Sequence, residues 1–477
     1  MRLKRFTGLF LLAAALCACE DDESTSTDTE EVTGAADLVG YRASLYDTDF
    51  PTERKNLNGT HTLMNVGFPR DVRAEDVLVE TIEMPFPALL YSRDPDEIFV
   101  FGGTPLALDT FVSLIDGLPE GESETAPYFA KYTPSSGELV SIDLDRGSGL
   151  PYLGGALVHA DGFVYVASQA HLYKFEPTTM TIEASIDLPA PDPGTVYNGL
   201  AVSRTGELIL KSTSFLSGDT GLLLINTDPL ETVFSTPCEC ASARLTLAID
   251  DQGVEHLYHL NREITFRYVV EPGSLTLDTD WVARFDPDGR GENQEPTSPV
   301  VLNGRVYYTT NTNFESTLPM RVFWQEQNAT YTPEMPPLTG PLLFDDPEER
   351  AGWSFSGMYA DESTGVLLAL DQGRGLVNAF LPRDDGSIDI LWQKQLTVSA
   401  GNTLVADRRM VYFTDFVNDS NNLVVLDLDT GDELLRLPTP AKRATIGSIL
   451  LTRDGEAYLA SNEPGEPTGL LLRFRVR

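Results

Sequence analysis

The sequence predicts an all-β chain closed into a single β-propeller of eight four-stranded blades. Three observations carry this. From about residue 77 onward, short runs of β-branched and aromatic residues are broken by Asp, Gly, Pro and Asn, with no amphipathic helical period. A four-strand unit recurs, clearest between Leu153 and Leu188, where Ala156-Leu157-Val158, the turn Asp161-Gly162, Phe163 to Val166, Leu172 to Phe175, the turn Pro177-Thr178-Thr179 and Ile182 to Leu188 follow one another. The turn between the first two strands then repeats at Thr205-Gly206, Gln252-Gly253, Asn303-Gly304, Thr364-Gly365, Arg408-Arg409 and Asp454-Gly455, at spacings of 44 to 61 residues.

Taken in chain order, residues 1–18 read as an export leader: a basic start at Arg2, Lys4 and Arg5, then an apolar run from Gly8 to Ala15. That run falls short of the about 20 residues a helix needs to span a bilayer. Residues 19–36 include Glu20 to Glu31, acids and hydroxyls without an aliphatic or aromatic side chain, and are expected to be a disordered acidic tether. Residues 37–76 mix Pro, Asn and Gly without a period and are read as an irregular extension lying on the body; the propeller domain as a whole is 37–477. A first, less regular blade runs from about Leu89 to Asp143 with its turn at Asp94-Pro95-Asp96. The last unit, Ile446 to Val476, has room for about three strands, so Val77 to Glu83 is expected to supply the fourth and close the ring. In phase with the turns, Gly154, Gly155, Asn198, Gly199, Gly357, Gly401, Asn402, Gly447 and Ser448 are expected where inner strands crowd the axis.

Leu16-Cys17-Ala18-Cys19 resembles the bacterial lipoprotein signal, with a leucine three residues before the cut and a cysteine just after it. The resemblance implies lipidation of Cys19, membrane attachment through acyl chains alone, and an exported protein at the outer membrane, on its periplasmic or surface face. Loss of Arg2, Lys4 and Arg5 with the leader leaves 31 basic against 72 acidic side chains, a formal charge of −41. So acidic a body repels phosphate backbones, which argues against nucleic acid and in favour of a protein partner or a small-molecule ligand.

Leu426-Asp427-Leu428-Asp429-Thr430-Gly431-Asp432-Glu433-Leu434 resembles the Asp-x-x-Thr-Gly turn of the quinoprotein-like and YVTN-like propeller superfamily, and Tyr132 to Leu139 and Phe175 to Thr179 are looser copies. The resemblance covers about four-fifths of the chain and implies fold alone. Members that bind pyrroloquinoline quinone use adjacent cysteines and a repeat tryptophan; here stand Cys238-Glu239-Cys240, and Leu139 and Leu434 at the tryptophan position, which argues against that cofactor. The lipid anchor with an eight-bladed ring is also similar to the outer-membrane barrel-assembly lipoproteins, non-catalytic scaffolds, as an architectural analogue.

Cys238 and Cys240 are a disulfide candidate, with free thiols and a metal pair as alternatives. No cofactor is indicated, and calcium enters only through Asp286, Asp288 and Glu292, whose alternating carboxylates fall short of a full calcium loop and also fit an ordinary turn. His61, His159 and His171 stand alone, and His256 and His259 fall on opposite faces of a strand. Propellers bind ligands where loops lead into the innermost strands, which selects Tyr152, Tyr197, Asn198, Arg244, Ser298, Trp353, Asn402 and Thr445. Arg244 and Trp353 stand out as groups able to grip a ligand. Two functions fit this chain. One is a lipid-anchored, non-catalytic scaffold; the other is a propeller enzyme of the lyase, lactonase or oxidoreductase kind with its site at the channel mouth. A buried cluster of titratable groups converging on a common pocket at that mouth would favour the enzyme.

Overall fold

The structure, a computed structural model, describes residues 44–103, 126–145, 154–192, 195–214, 220–238, 243–261, 263–285, 293–294, 297–312, 319–344, 352, 354, 357–397, 402–418, 420–441, 447–462 and 468–477. Eight antiparallel sheets surround a common axis. The second blade is typical: Gly155–Val158 is innermost, Val164–Ser168 and His171–Glu176 follow, and Thr181–Asp187 is outermost. Burial falls outward across it, from two fully buried inner strands to an outer strand whose residues are mostly exposed. That gradient is why the inner strands read as unbroken apolar runs while the outer ones alternate.

All eight turns predicted between first and second strands lie there. Positive φ at Gly162, Gly206, Gly253, Gly304, Gly365 and Gly455 explains why glycine recurs at this point. Arg409 takes the same conformation, at φ 52°, without being glycine. Closure also follows the sequence. Val77–Pro85 pairs antiparallel with Thr468–Val476, in register from Val77 opposite Val476 to Pro85 opposite Thr468. Blades pack through apolar faces; Phe99 and Phe129 of the first blade, with ring centroids 5.6 Å apart, meet Phe175 of the second at 5.1 Å.

The fifth blade departs from the pattern. Among the described residues it has three strands, Val300–Leu302, Arg305–Thr309 and Val322–Glu326. Its outer edge is met by the irregular stretch around Pro341: the Val322 amide donates to the Pro341 carbonyl and the Leu343 amide to Met320. At Gly154 and Gly447 the reason for glycine differs from axial crowding. A Cβ on Gly154 would lie 1.5 Å from the Ala167 carbonyl and one on Gly447 1.9 Å from that of Ala460, so each lets the first strand approach the second strand of its own blade.

The main difference from the sequence reading concerns residues 44–68, which do not lie on the outside of the body. They run inside the ring as a strap along the exposed edges of the innermost strands. The strap accepts from the amides of Ser92 at Phe50, Val158 at Pro51, Leu247 at Leu57, Val301 at Asn58, Ala360 at Thr60 and Ala406 at Leu63, and the Gly67 amide donates to Thr452. Seven of the eight blades are therefore tied to it. Thr62–Leu63 pairs parallel with Leu404 and Val405 as a fifth strand of the seventh blade. The physical cause is the unpaired inner edge of each first strand: amides facing the channel need partners, and the strap's carbonyls supply them. Following a curve requires repeated kinks, which the strap obtains from positive φ at Lys55, Gly59, His61, Asn65 and Gly67. Asn56 fixes one bend by accepting from the Thr60 amide at 3.0 Å and donating to its hydroxyl at 2.7 Å.

Candidate functional site

The residues leading into the innermost strands converge on the strap. Arg244, placed just before Thr246–Ile249, is 3% exposed. Its Nη2 lies 2.5 Å from Glu53 Oε1 and donates to the Gly154 carbonyl at 3.2 Å, while its amide donates to Ser298 Oγ at 2.8 Å. The arginine singled out for ligand binding thus joins the strap to the second, fourth and fifth blades. Ser298 is buried as its partner. Tyr197 is buried with its hydroxyl donating to the Pro189 carbonyl at 2.8 Å, and burial raises its pKa well above the ordinary phenol value. Asn198 is fully buried beside it. Across the ring Asn402 donates to the Tyr359 hydroxyl at 3.2 Å. Of the predicted set the structure brings Arg244 and Ser298 into contact. Tyr152, Trp353 and Thr445 lie outside the described residues, as do Cys19, Cys240, Asp286, Asp288 and Glu292. Cys238 is disulfide-bonded.

The groups that fill this region come from the strap. Arg54 Nη1 donates to the Leu245 carbonyl at 3.3 Å and to the Thr246 hydroxyl, and Nη2 donates to the Pro299 carbonyl at 2.9 Å. Lys55 Nζ donates to Thr403 Oγ1 at 3.0 Å, across the ring. His61 stands edge-on to Tyr359 with ring centroids 4.6 Å apart. Burial, and then the charges of Arg54 and Lys55, hold its pKa well below the ordinary imidazole value. The sequence signal for these residues was slight: the triplet Glu53-Arg54-Lys55 inside a stretch without a period. Glu53, Arg54, Asn56, Leu200, Arg244 and Leu245 line a cavity of about 20 Å³, the room of a single water.

Chemically the described residues here are mostly buried ion pairs and hydrogen bonds, with both ring nitrogens of His61 unpartnered. His256 Nε2 lies 2.9 Å from Asp250 Oδ2. His259 is buried near Lys211, and burial followed by that charge lowers its pKa strongly. His159 Nε2 lies 3.1 Å from the Gly206 carbonyl and its Nδ1 2.9 Å from Asp161. Among the described residues no three His, Cys, Asp or Glu side chains are grouped to hold a metal, and no helix is long and apolar enough to cross a membrane.

No protein-family model matches the chain, and no curated protein matches it. Solved structures do resemble it. The Dos1 propeller aligns with 83% of this chain and 93% of its own, at 10% identity and a TM-score of 0.51. A catalytically inactive virginiamycin B lyase from Staphylococcus aureus covers 84% of this chain and all of its own, at 9% identity and a TM-score of 0.43. The periplasmic gluconolactonase of Pseudomonas aeruginosa covers 75% and 99%, at 14% identity and 0.45. The likeness to the Dos1 propeller shows the β-propeller fold.

Proposed function

We propose that this protein is a lipid-anchored β-propeller outside the cytoplasm that acts as a non-catalytic scaffold, offering a rigid disc to a protein partner or ligand. The observation that carries the reading is the fate of Arg244. At the mouth where a propeller enzyme would use a free cation, this side chain is 3% exposed and paired with Glu53 of the chain's own strap. Among the described residues the convergence is of strap and blade, beside a cavity of about 20 Å³. Residues 1–19 support the anchor through their leader-like pattern.

Two measurements test the two halves. For the anchor, membranes from cells expressing the wild type and Cys19→Ala are compared: the wild type should fractionate with membranes and incorporate labelled fatty acid, and the variant should do neither. Equal membrane association of both would overturn it. For the scaffold, the anchored protein is cross-linked in intact cells and captured, and the same preparation is assayed on lactones and cyclic esters. A stoichiometric protein partner supports the scaffold; saturable turnover of a lactone or ester would replace it with an enzyme.

A further inference from the structure

The strap carries a single histidine, His61, and buries it against the sixth blade. The ring is 2% exposed, stands edge-on to Tyr359 and, among the described residues, has no hydrogen-bond partner on either nitrogen. Its backbone is held at φ 61°, which is uncommon for any residue but glycine. Around it the strap is bonded to three successive blades. Asn58 accepts from the Val301 amide, Thr60 from Ala360 and Leu63 from Ala406, and the Thr62 hydroxyl donates to the Ala360 carbonyl. The charged and titratable groups of these elements are identifiable. The strap's own cations are engaged elsewhere, Arg54 with the fourth and fifth blades and Lys55 with Thr403. The sixth blade brings Tyr359 and Glu362, whose carboxylate accepts from Asn58 at 3.1 Å and Thr60 at 2.5 Å. The inner strands of the fifth and seventh blades, Val300–Leu302 and Thr403–Val405, bring no titratable side chain.

Protonation changes what this seat must hold. A neutral imidazole brings one N–H and no charge, whereas an imidazolium brings two N–H groups and a full charge. Burying these without an acceptor is far less favourable than leaving them in water. Only the seated strap bears that cost, because an unseated segment gives the ring to solvent. We propose that Asn58 to Leu63 is a proton-released catch: protonation of His61 unseats this segment from the fifth, sixth and seventh blades while the ring of blades stays closed. Sequence confines the opening. No other histidine lies between residues 44 and 85, so neither the first half of the strap nor Val77–Pro85, which closes the ring on Thr468–Val476, carries such a group. Unseating bares the inner edges of three neighbouring first strands to the channel. The opening equilibrium rises by up to about tenfold for each pH unit below about 6.5, the ordinary imidazole value, and is constant above it. Burial, which holds the His61 pKa well below that value, has the matching sign. The catch is independent of whether the disc is a scaffold or an enzyme.

Hydrogen exchange of the full-length protein tests this, compared as protection factors so that the intrinsic pH dependence of exchange is divided out. Between about pH 6.5 and pH 5.5, protection should fall by up to about tenfold at the amides of Val301, Ala360 and Ala406, which the segment covers. It should hold at the amides of Ser92 and Val158, which donate to the other end of the strap at Phe50 and Pro51. His61→Asn, which tolerates positive φ and takes up no proton, should remove the fall. No fall in the wild type, an equal fall at all five amides, or a fall that persists in the variant overturns the proposal. Should the variant fail to fold, the ring chemical shifts of wild-type His61 decide. A ring that stays neutral until those three amides lose protection supports the catch, and one that titrates near pH 6.5 with protection intact refutes it.

Discussion

Arg54→Ala removes the side chain that fastens the strap to two blades at once, and its cost can be worked out group by group. The guanidinium donates to the Leu245 carbonyl, the Thr246 hydroxyl, the Pro299 carbonyl and, at 3.4 Å, the Gly59 carbonyl. Pro299 keeps a donor, because the Thr246 hydroxyl bonds it at 2.8 Å. The Gly59 contact is at the limit of a hydrogen bond. Among these four, two losses remain, the Leu245 carbonyl and the acceptor side of Thr246, in a region where Thr246 has no solvent exposure. At about 1–3 kcal/mol for each buried group left unsatisfied, plus the void of a long side chain, the expected destabilisation is about 3–5 kcal/mol. That is a large part of the about 5–15 kcal/mol by which a folded domain is usually stable. Urea titration should show a lower midpoint with an unchanged slope, and Arg54→Lys should rescue little, since an ammonium cannot reach carbonyls on both blades as the planar fork does. A loss below about 1 kcal/mol, the typical net worth of one hydrogen bond, would refute the claim that Arg54 locks the strap.

Three further outcomes are expected. Gly431 and Gly137 share φ 72°, but a Cβ on Gly431 would lie 2.7 Å from the Trp392 ring while one on Gly137 meets nothing within 4 Å. Gly137→Ala should therefore cost about 1–2 kcal/mol, the left-handed strain alone, and Gly431→Ala clearly more, together with a change in Trp392 fluorescence; equal costs would contradict the packing. Phe474→Ala, at a fully buried position of the closing pair, should cost about 3–5 kcal/mol, whereas Val79→Ala, at its exposed cross-strand partner, should cost less than about 1 kcal/mol. His61 and His259 both have folded-state pKa values well below the ordinary one, so the unfolded chain takes up protons that the folded one refuses. Stability should then be complete above about pH 6.5 and fall by about 1.4 kcal/mol per pH unit for each histidine below it. Melting curves at different pH values test this; His256 is lowered as well, so His259→Gln should reduce the slope without removing it. A flat profile between pH 6.5 and 5 would show that both rings bind a proton in the folded state.

How much of this was legible depended on whether a contact is made by side chains or by backbone. The turns could be read because Gly162, Gly206 and their counterparts need a conformation that selects glycine. The closing strand could be read because the last unit, Ile446 to Val476, has room for only about three strands. The irregular fifth blade was foreshadowed by the 61-residue gap between Asn303 and Thr364. The strap was hidden for a physical reason. It meets the inner strands through its own carbonyls, which every residue possesses, and its kinks at Lys55, His61 and Asn65 destroy any period. Phase along the repeats placed Arg244 and Ser298 correctly at the strand entrances, yet it could not reveal Glu53, 191 residues away in sequence from Arg244.

One stretch of chain performs both closures of the ring, and this constrains how the molecule is assembled. Residues 44–68 satisfy the inner edges, and Val77–Pro85 then crosses to the last blade and pairs with Thr468–Val476. The bonds that complete the structure span nearly the whole sequence: Lys55 to Thr403 over 348 residues, Arg408 to Phe68 over 340, and the Leu90 amide to Ser448 over 358. Contacts of such separation form late, because the entropy of closing the intervening chain must be overcome before they contribute. Individual blades, by contrast, are built from neighbouring hairpins and can form locally. The ring therefore has an ordered assembly, with blades first and strap and rim last, and the burial of Arg54, Lys55 and Arg244 belongs to its final step. A cation cluster that becomes buried only when the ring closes is held in water until then, so its desolvation opposes closure and its pairing with Glu53 and the blade carbonyls offsets that cost.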